Sequence, residues 1–196
     1  MKNIAIMASG SGTNAENIIK YFSNKKTAKV TLVLSNRREA TVLKRAEALG
    51  VITCFFEYDD LYSSDKVLEL LLKSRTDFVV LAGFLWLVPE NILDTFEKRI
   101  INIHPALLPR YGGKGMYGDR VHKAVIANGD KESGITIHYV NKYYDKGDII
   151  FQVRCKVAPS DTPESLASKV HTLEYEHYPV IIEKLLRKLA ADTRKL

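Results

Sequence analysis

The chain has 196 residues, 46% of them hydrophobic, enough to bury one sizeable core, and no segment reads as an interdomain linker, so a single domain over residues 1–196 is expected. Twenty-nine Lys and Arg against 23 Asp and Glu leave a formal charge of +6; this favours anionic partners, but the basic residues are scattered, which argues against nucleic acid. No apolar run approaches the ~20 residues of a membrane span, the first strand starts beside the initial Met, and Cys54 and Cys155 form no motif, so no membrane partner and a cytoplasmic protein with reduced thiols are expected.

Residues 3–7 are almost continuously apolar, as a strand covered on both faces should be. They lead into Ala8-Ser9-Gly10-Ser11-Gly12-Thr13-Asn14, after which residues 14–22 place apolar side chains at helical spacing. Glycines bring the backbone close to an anion, and a helix start supplies free N–H groups and a favourable dipole, so the loop suits a phosphate. Gly10-Ser11-Gly12-Thr13-Asn14-Ala15 also satisfies the Ala-ending dinucleotide fingerprint. That reading wants an acidic residue after the second strand. The chain has Ser35-Asn36-Arg37-Arg38 there, a basic pair suited to the extra phosphate of NADP. On this segment alone, a phosphate site, a dinucleotide site and a plain glycine turn are all open.

The same rhythm continues with strands at 30–34, 51–56, 78–81 and 100–103 and helices at 40–49 and 66–73. Alternating strands and helices predict an α/β fold with a doubly wound, mostly parallel sheet. After residue 104 the rhythm breaks. A Pro- and Gly-rich loop over 105–118 contains Tyr111-Gly112-Gly113-Lys114-Gly115-Met116-Tyr117-Gly118, a candidate lid in which Lys114 is either a ligand contact or an exposed loop lysine. A short helix at 121–127 precedes strands at 134–140 and 149–157. With so few residues between them, those two strands must form an antiparallel hairpin or turn sharply. Thr162-Pro163 then opens a final helix, with Thr as N-cap and Pro in the first turn. Pro179 is expected to interrupt or kink that helix. Lys184, Arg187, Lys188, Arg194 and Lys195 read as a solvated face and tail.

The strand at 100–103 ends in Asn102-Ile103-His104-Pro105-Ala106-Leu107-Leu108-Pro109. Residues two apart in a strand share a face, so Asn102 and His104 point together toward the cleft at the carboxyl end of the sheet. Asp145, on a loop after a later strand, brings a carboxylate. These three suit acyl transfer to an amine: His104 moves the proton, Asn102 donates an N–H to the oxyanion, and Asp145 orients the imidazole and favours its protonated form. The attacking amine belongs to the substrate, so no side-chain nucleophile is required. His122, His138, His171 and His177 lack metal-site spacing, so no metal is expected, and His138 reads as structural.

Ser9-Gly10-Ser11-Gly12-Thr13-Asn14, Leu81-Ala82-Gly83-Phe84, Asn102 to Pro109, Gly134-Ile135-Thr136-Ile137-His138, Asp145-Lys146-Gly147 and Tyr178-Pro179 together resemble the folate-dependent phosphoribosylglycinamide formyltransferases of purine biosynthesis, over essentially the whole chain. The Asn/His/Asp set alone marks the wider formyltransferase superfamily, while the Ser-Gly-x-Gly-Thr-Asn loop narrows it. The resemblance implies a formyltransferase-like Rossmann variant with an antiparallel C-terminal hairpin and a final helix. It implies that 10-formyltetrahydrofolate is the formyl-donor cosubstrate and 5′-phosphoribosylglycinamide the acceptor, with small-molecule substrates only and a monomer or weak homodimer as the assembly. By the same resemblance Gly12, Thr13 and Asn14 bind the acceptor phosphate, and Glu174 its ribose or glycinamide end. Leu85, Trp86, Leu87, Val88 and Asn102 line the folate pocket, and Asn141, Tyr144 and Asp145 close its other side. Residues 1–103 would then form a phosphate-binding half and 104–196 a folate-binding and catalytic half. The sequence departs from the family at Trp86, where many members carry an arginine.

Overall fold

The computed structural model describes residues 1–192; Arg194 and Lys195 of the expected basic tail lie outside the described residues. Strands β1 (Lys2–Met7), β2 (Ala28–Ser35), β3 (Ile52–Phe55), β4 (Phe78–Leu81), β5 (Ile100–His104), β6 (Glu132–Tyr139) and β7 (Ile149–Lys156) form one sheet in the order β3-β2-β1-β4-β5-β6-β7. The first five are parallel, and β6 and β7 run antiparallel to their neighbours. The helices are α1 (Thr13–Ser23), α2 (Thr41–Ala48), α3 (Tyr58–Tyr62), α4 (Lys66–Lys73), α5 (Glu90–Thr95), α6 (Asp119–Ala127) and α7 (Pro163–Asp192). The sheet is therefore the expected doubly wound, mostly parallel one with a C-terminal hairpin.

Both faces of the sheet are covered. On one, Ile4, Ile6, Ile18, Phe22, Val33, Ile101 and Tyr178 join strands to α1 and α7. On the other, Met7, Leu34, Leu71, Val79, Leu81 and Phe96 join strands to α4 and the chain around α5. Alternation along β1 sends Ile4 and Ile6 to the first core and Ala5 and Met7 to the second, all at 0% exposure. Removing one such Ile or Met from water contributes about 1.5–3 kcal/mol. This two-sided burial is why the parallel strands read as continuous apolar runs rather than alternating ones.

Two elements escaped the sequence, α3 and α5, of five and six residues, because one and a half turns carry no measurable helical period. One expectation is corrected in part: Pro179 does not interrupt α7, which is a single helix through it. Proline has no N–H, so the carbonyl four residues back, on Tyr175, loses its helical partner. Asn17 Nδ2 donates to that carbonyl at 2.9 Å instead. Tyr178, fully buried next door, donates its hydroxyl to the Leu81 carbonyl at 2.8 Å and pins the helix to β4. Strand order reverses between β1 and β4, the place where open α/β sheets form their ligand crevice at the carboxyl ends.

Candidate active site

Asn102 and His104 sit at the carboxyl end of β5, two residues apart on one face, and Pro105 follows as the chain leaves the sheet. The antiparallel register of β6 puts His138 opposite Asn102 and Thr136 opposite His104. Beyond β6 the chain turns back through residues 140–148. Asn141 shapes the turn, donating through Nδ2 to the Lys146 carbonyl at 3.1 Å and accepting from the Tyr143 N–H at 2.9 Å. Asp145 occupies the left-handed region, with φ 54°. Gly147 then passes so close to the Tyr139 carbonyl that any Cβ would overlap it. The Asp-Lys-Gly signature is thus a device for returning a carboxylate over the end of β5.

Four side chains meet there. Asp145 Oδ2 lies 3.6 Å from His104 Nδ1 and Oδ1 lies 3.6 Å from His138 Nε2. Asn102 Nδ2 is 3.2 Å from His138 Nε2 and 3.5 Å from Asp145 Oδ1. Carbonyl oxygens only accept, so two backbone contacts fix the neutral tautomers. His104 Nε2 is 2.7 Å from the Tyr111 carbonyl and therefore carries the proton, leaving the Nδ1 lone pair facing Asp145. His138 Nδ1 is 2.8 Å from the Tyr139 carbonyl, so its Nε2 accepts from Asn102. The second Asn102 N–H points to Asp145 at the limit of hydrogen bonding, which makes it the donor in the cluster most readily turned to another acceptor.

Burial sets the electrostatics. His104 is 3% exposed, and desolvation pulls its pKa below the ordinary imidazole value, although Asp145 and the Tyr111 carbonyl oppose it. The Asp145 charge favours the imidazolium, and burial outweighs it. The contact that orients the ring at hydrogen-bond distance is the Tyr111 carbonyl rather than the carboxylate. Burial pushes the Asp145 carboxyl up, but His138, His104 and the Gly113 N–H, which donates to Oδ2 at 2.9 Å, together hold it below its usual value. His138, read from the sequence as structural, belongs to this cluster. The antiparallel register that sets it opposite Asn102 is what places it there.

The cluster opens onto a cavity of about 580 Å³. At one end lies the loop Gly10 to Asn14 with α1 beginning on Gly12, whose φ of 75° suits glycine and whose missing Cβ leaves room for Val42. First-turn N–H groups of a helix have no intrahelical partners and face out of its N-terminus. Glu174, 4% exposed, accepts from Asn14 Nδ2 at 2.9 Å and sits 2.8 Å from His171 Nδ1, whose pKa it raises. Asn14 Oδ1 and His122 Nδ1, both in residues lining this cavity, are buried without a partner. Arg37 and Lys114 line it too.

At the other end a recess of about 50 Å³ shares Phe84, Trp86, Asn102, Tyr144 and Asp145 with the main cavity. Leu85 lines the main cavity only, Leu87, Val88 and Asn141 the recess only. Val88, at 3% exposure, is mostly core. The Trp86 indole is backed by Phe56, Tyr58 and Tyr62 at centroid distances of 6.2, 5.5 and 6.2 Å. The residues expected at a site therefore line one or the other of two adjoining cavities that share walls. His177 does not; its ring packs on Phe151 at 5.1 Å.

The profile of the family described as Formyl transferase matches residues 2–182. The chain is 33% identical over 191 residues to the phosphoribosylglycinamide formyltransferase of Bacillus subtilis, covering 95% of each. It is 40% identical over 187 residues to the chloroplastic phosphoribosylglycinamide formyltransferase of Arabidopsis thaliana, and there 92% of this chain spans 64% of the relative's length. Among solved structures, the phosphoribosylglycinamide formyltransferase of Anaplasma phagocytophilum superposes with a TM-score of 0.87 at 32% identity, covering 95% of this chain and 87% of that one.

Proposed function

The chain belongs to the formyl transferase family, and from that membership we propose that it is an enzyme of purine biosynthesis that moves a formyl group from 10-formyltetrahydrofolate to the amine of 5′-phosphoribosylglycinamide. The observation that carries this reading is a cavity that runs from the Gly10 to Asn14 loop to Trp86 and adjoins a small recess, with Asn102 and Asp145 lining both and His104 lining the larger. The Gly10 to Asn14 end supplies donors and a positive helix dipole for a phosphate. Asn14, Glu174 and His171 lie beside it for the ribose and glycinamide. The Trp86 end offers flat apolar walls, with backbone groups at their edge, for a heteroaromatic ring. Gly12, Thr13 and Asn14 are the phosphate ligands on this reading, and Leu85 to Val88 with Asn141 and Tyr144 hold the folate.

The acceptor amine attacks the formyl carbon, and a C–N bond forms as the carbonyl oxygen becomes an oxyanion. Asn102 Nδ2 turns from Asp145 to that oxygen. His104 takes the amine proton on Nδ1, the only ring nitrogen with a free lone pair, and the imidazolium so formed is held by Asp145. The bond from the formyl carbon to the folate nitrogen then breaks, and His104 returns the proton to that nitrogen. A depressed pKa keeps His104 neutral, and so able to accept, at pH 7. Both substrates are small molecules, and the chemistry asks nothing of a metal.

Incubation of the purified protein with both substrates tests the proposal. The acceptor should gain one formyl group by mass, in preference to an amino-sugar nucleotide. Preference for the sugar nucleotide would reject the acceptor. Tight NADP(H) binding with no affinity for a folate analogue would reject the reading altogether.

A further inference from the structure

Ser9 is 1% exposed and lies outside the catalytic cluster, yet its short side chain joins three segments. Its Oγ donates to Asn36 Oδ1 at 2.6 Å and accepts from the Leu85 N–H at 3.1 Å. Its own N–H donates to the Gly83 carbonyl at 3.0 Å. These partners sit after β2 and β4, on either side of β1, so the hydroxyl spans the crevice where strand order reverses. On one side Ser9 begins the Gly10 to Asn14 loop. On the other it holds the backbone of Leu85, which opens the segment ending at Val88. Gly83, with φ 73°, lets the chain turn there and present Leu85 to the hydroxyl.

We propose that Ser9 is a positioning residue that ties the phosphate loop to the folate-binding segment, so that the placement of one substrate's site sets the placement of the other's. The proposal rests on the function given above. A hydroxyl is the only small group that donates to Asn36 and accepts from Leu85 at once, which gives the position its chemistry. Shortening it to hydrogen leaves the Leu85 N–H and Asn36 Oδ1 without partners, and each is then free to move toward water. Among the described residues, the hydrogen bond from the Leu85 N–H to the Ser9 hydroxyl is what ties the Leu85 to Val88 backbone to the segment that opens the phosphate loop. A shift of that backbone weakens the grip on the donor without touching the groups that move the proton. Coupling between the two sites passes through the same hydroxyl, and by linkage it is lost equally in both directions.

Ser9→Ala and Asn36→Ala test this, each with steady-state kinetics and with binding of a non-transferable deazafolate in the presence and absence of 5′-phosphoribosylglycinamide. In Ser9→Ala the donor KM should rise about 10-fold with kcat within about 3-fold of wild type, and the acceptor should no longer tighten deazafolate binding. Asn36→Ala, which leaves Ser9 in place but removes its acceptor, should move the same quantities in the same direction by less, and the double variant should add little to Ser9→Ala. If Ser9→Ala does not fold, Asn36→Ala alone carries the test. A lowered Tm with unchanged donor KM and unchanged coupling would overturn the proposal, leaving Ser9 a packing residue. Wild-type protein with no formyl transfer would instead overturn the function on which it rests.

Discussion

The cluster around Asp145 and the Gly10 to Asn14 end of the cavity treat their polar groups in opposite ways. In the proposed catalytic cluster, His104 and His138 each donate one ring N–H to a backbone carbonyl, and Asp145 faces His104, His138, Asn102 and the Gly113 N–H. At the acceptor end Asn14 Oδ1 and His122 Nδ1 are buried without partners, and the first turn of α1 has open N–H groups. An unpaired buried polar group costs about 1–3 kcal/mol, tolerable where a ligand later supplies the partner. The contrast separates groups set in advance for chemistry from groups left open for binding.

The largest expected effect breaks the first half of that contrast. His104→Ala should cut kcat by about 10³-fold, within the 10²- to 10⁴-fold that a positioned proton carrier supplies, while both KM values stay within a few-fold. Steady-state kinetics checks this, and a matching rise in either KM would merge the two ends.

Gly12→Ala attacks the second half. A Cβ there meets Val42 on a backbone already at φ 75°, so strain and overpacking should cost about 2–5 kcal/mol, read by denaturant unfolding. The acceptor KM should rise by 10-fold or more while kcat at saturating acceptor changes by less than 3-fold. A large loss of kcat with an unchanged acceptor KM would place the loop in the chemistry instead.

A smaller effect comes from a region outside the comparison. Glu183 is held at a pKa of about 2 by the Tyr21 hydroxyl, Arg187 and Lys25. Because its folded value lies below the unfolded one, the stability it contributes is present above about pH 4.5 and is lost as pH falls toward 2. Melting curves of wild type should lose Tm across that window. Glu183→Gln should flatten the loss and leave turnover at pH 7 unchanged.

Sequence periodicity was enough for the sheet because two-sided burial of β1 and β4 leaves an uninterrupted apolar signature. It missed α3 and α5 for shortness, and did not foresee a continuous helix through Pro179 because the donor that serves the Tyr175 carbonyl, Asn17, lies 158 residues away. That Asn102 and His104 share a face was legible because alternate residues at a strand end do; that Asp145 comes back to meet them rests on the turn through 140–148. His138 was not, since its meaning depends on the register between β5 and β6, and neither strand states that register alone. Nor was the Tyr111 carbonyl, because any residue can supply one. The orphaned atoms of Asn14 and His122 are likewise properties of packing.

The most direct test of the separation is single-turnover formyl transfer by Asp145→Ala with both substrates bound, set against wild type. Losing the carboxylate removes the group facing His104 Nδ1 and His138 Nε2 together, so the rate should fall by two to four orders of magnitude, with both substrates bound within a few-fold of wild-type affinity. Near-normal turnover in that variant would contradict the account.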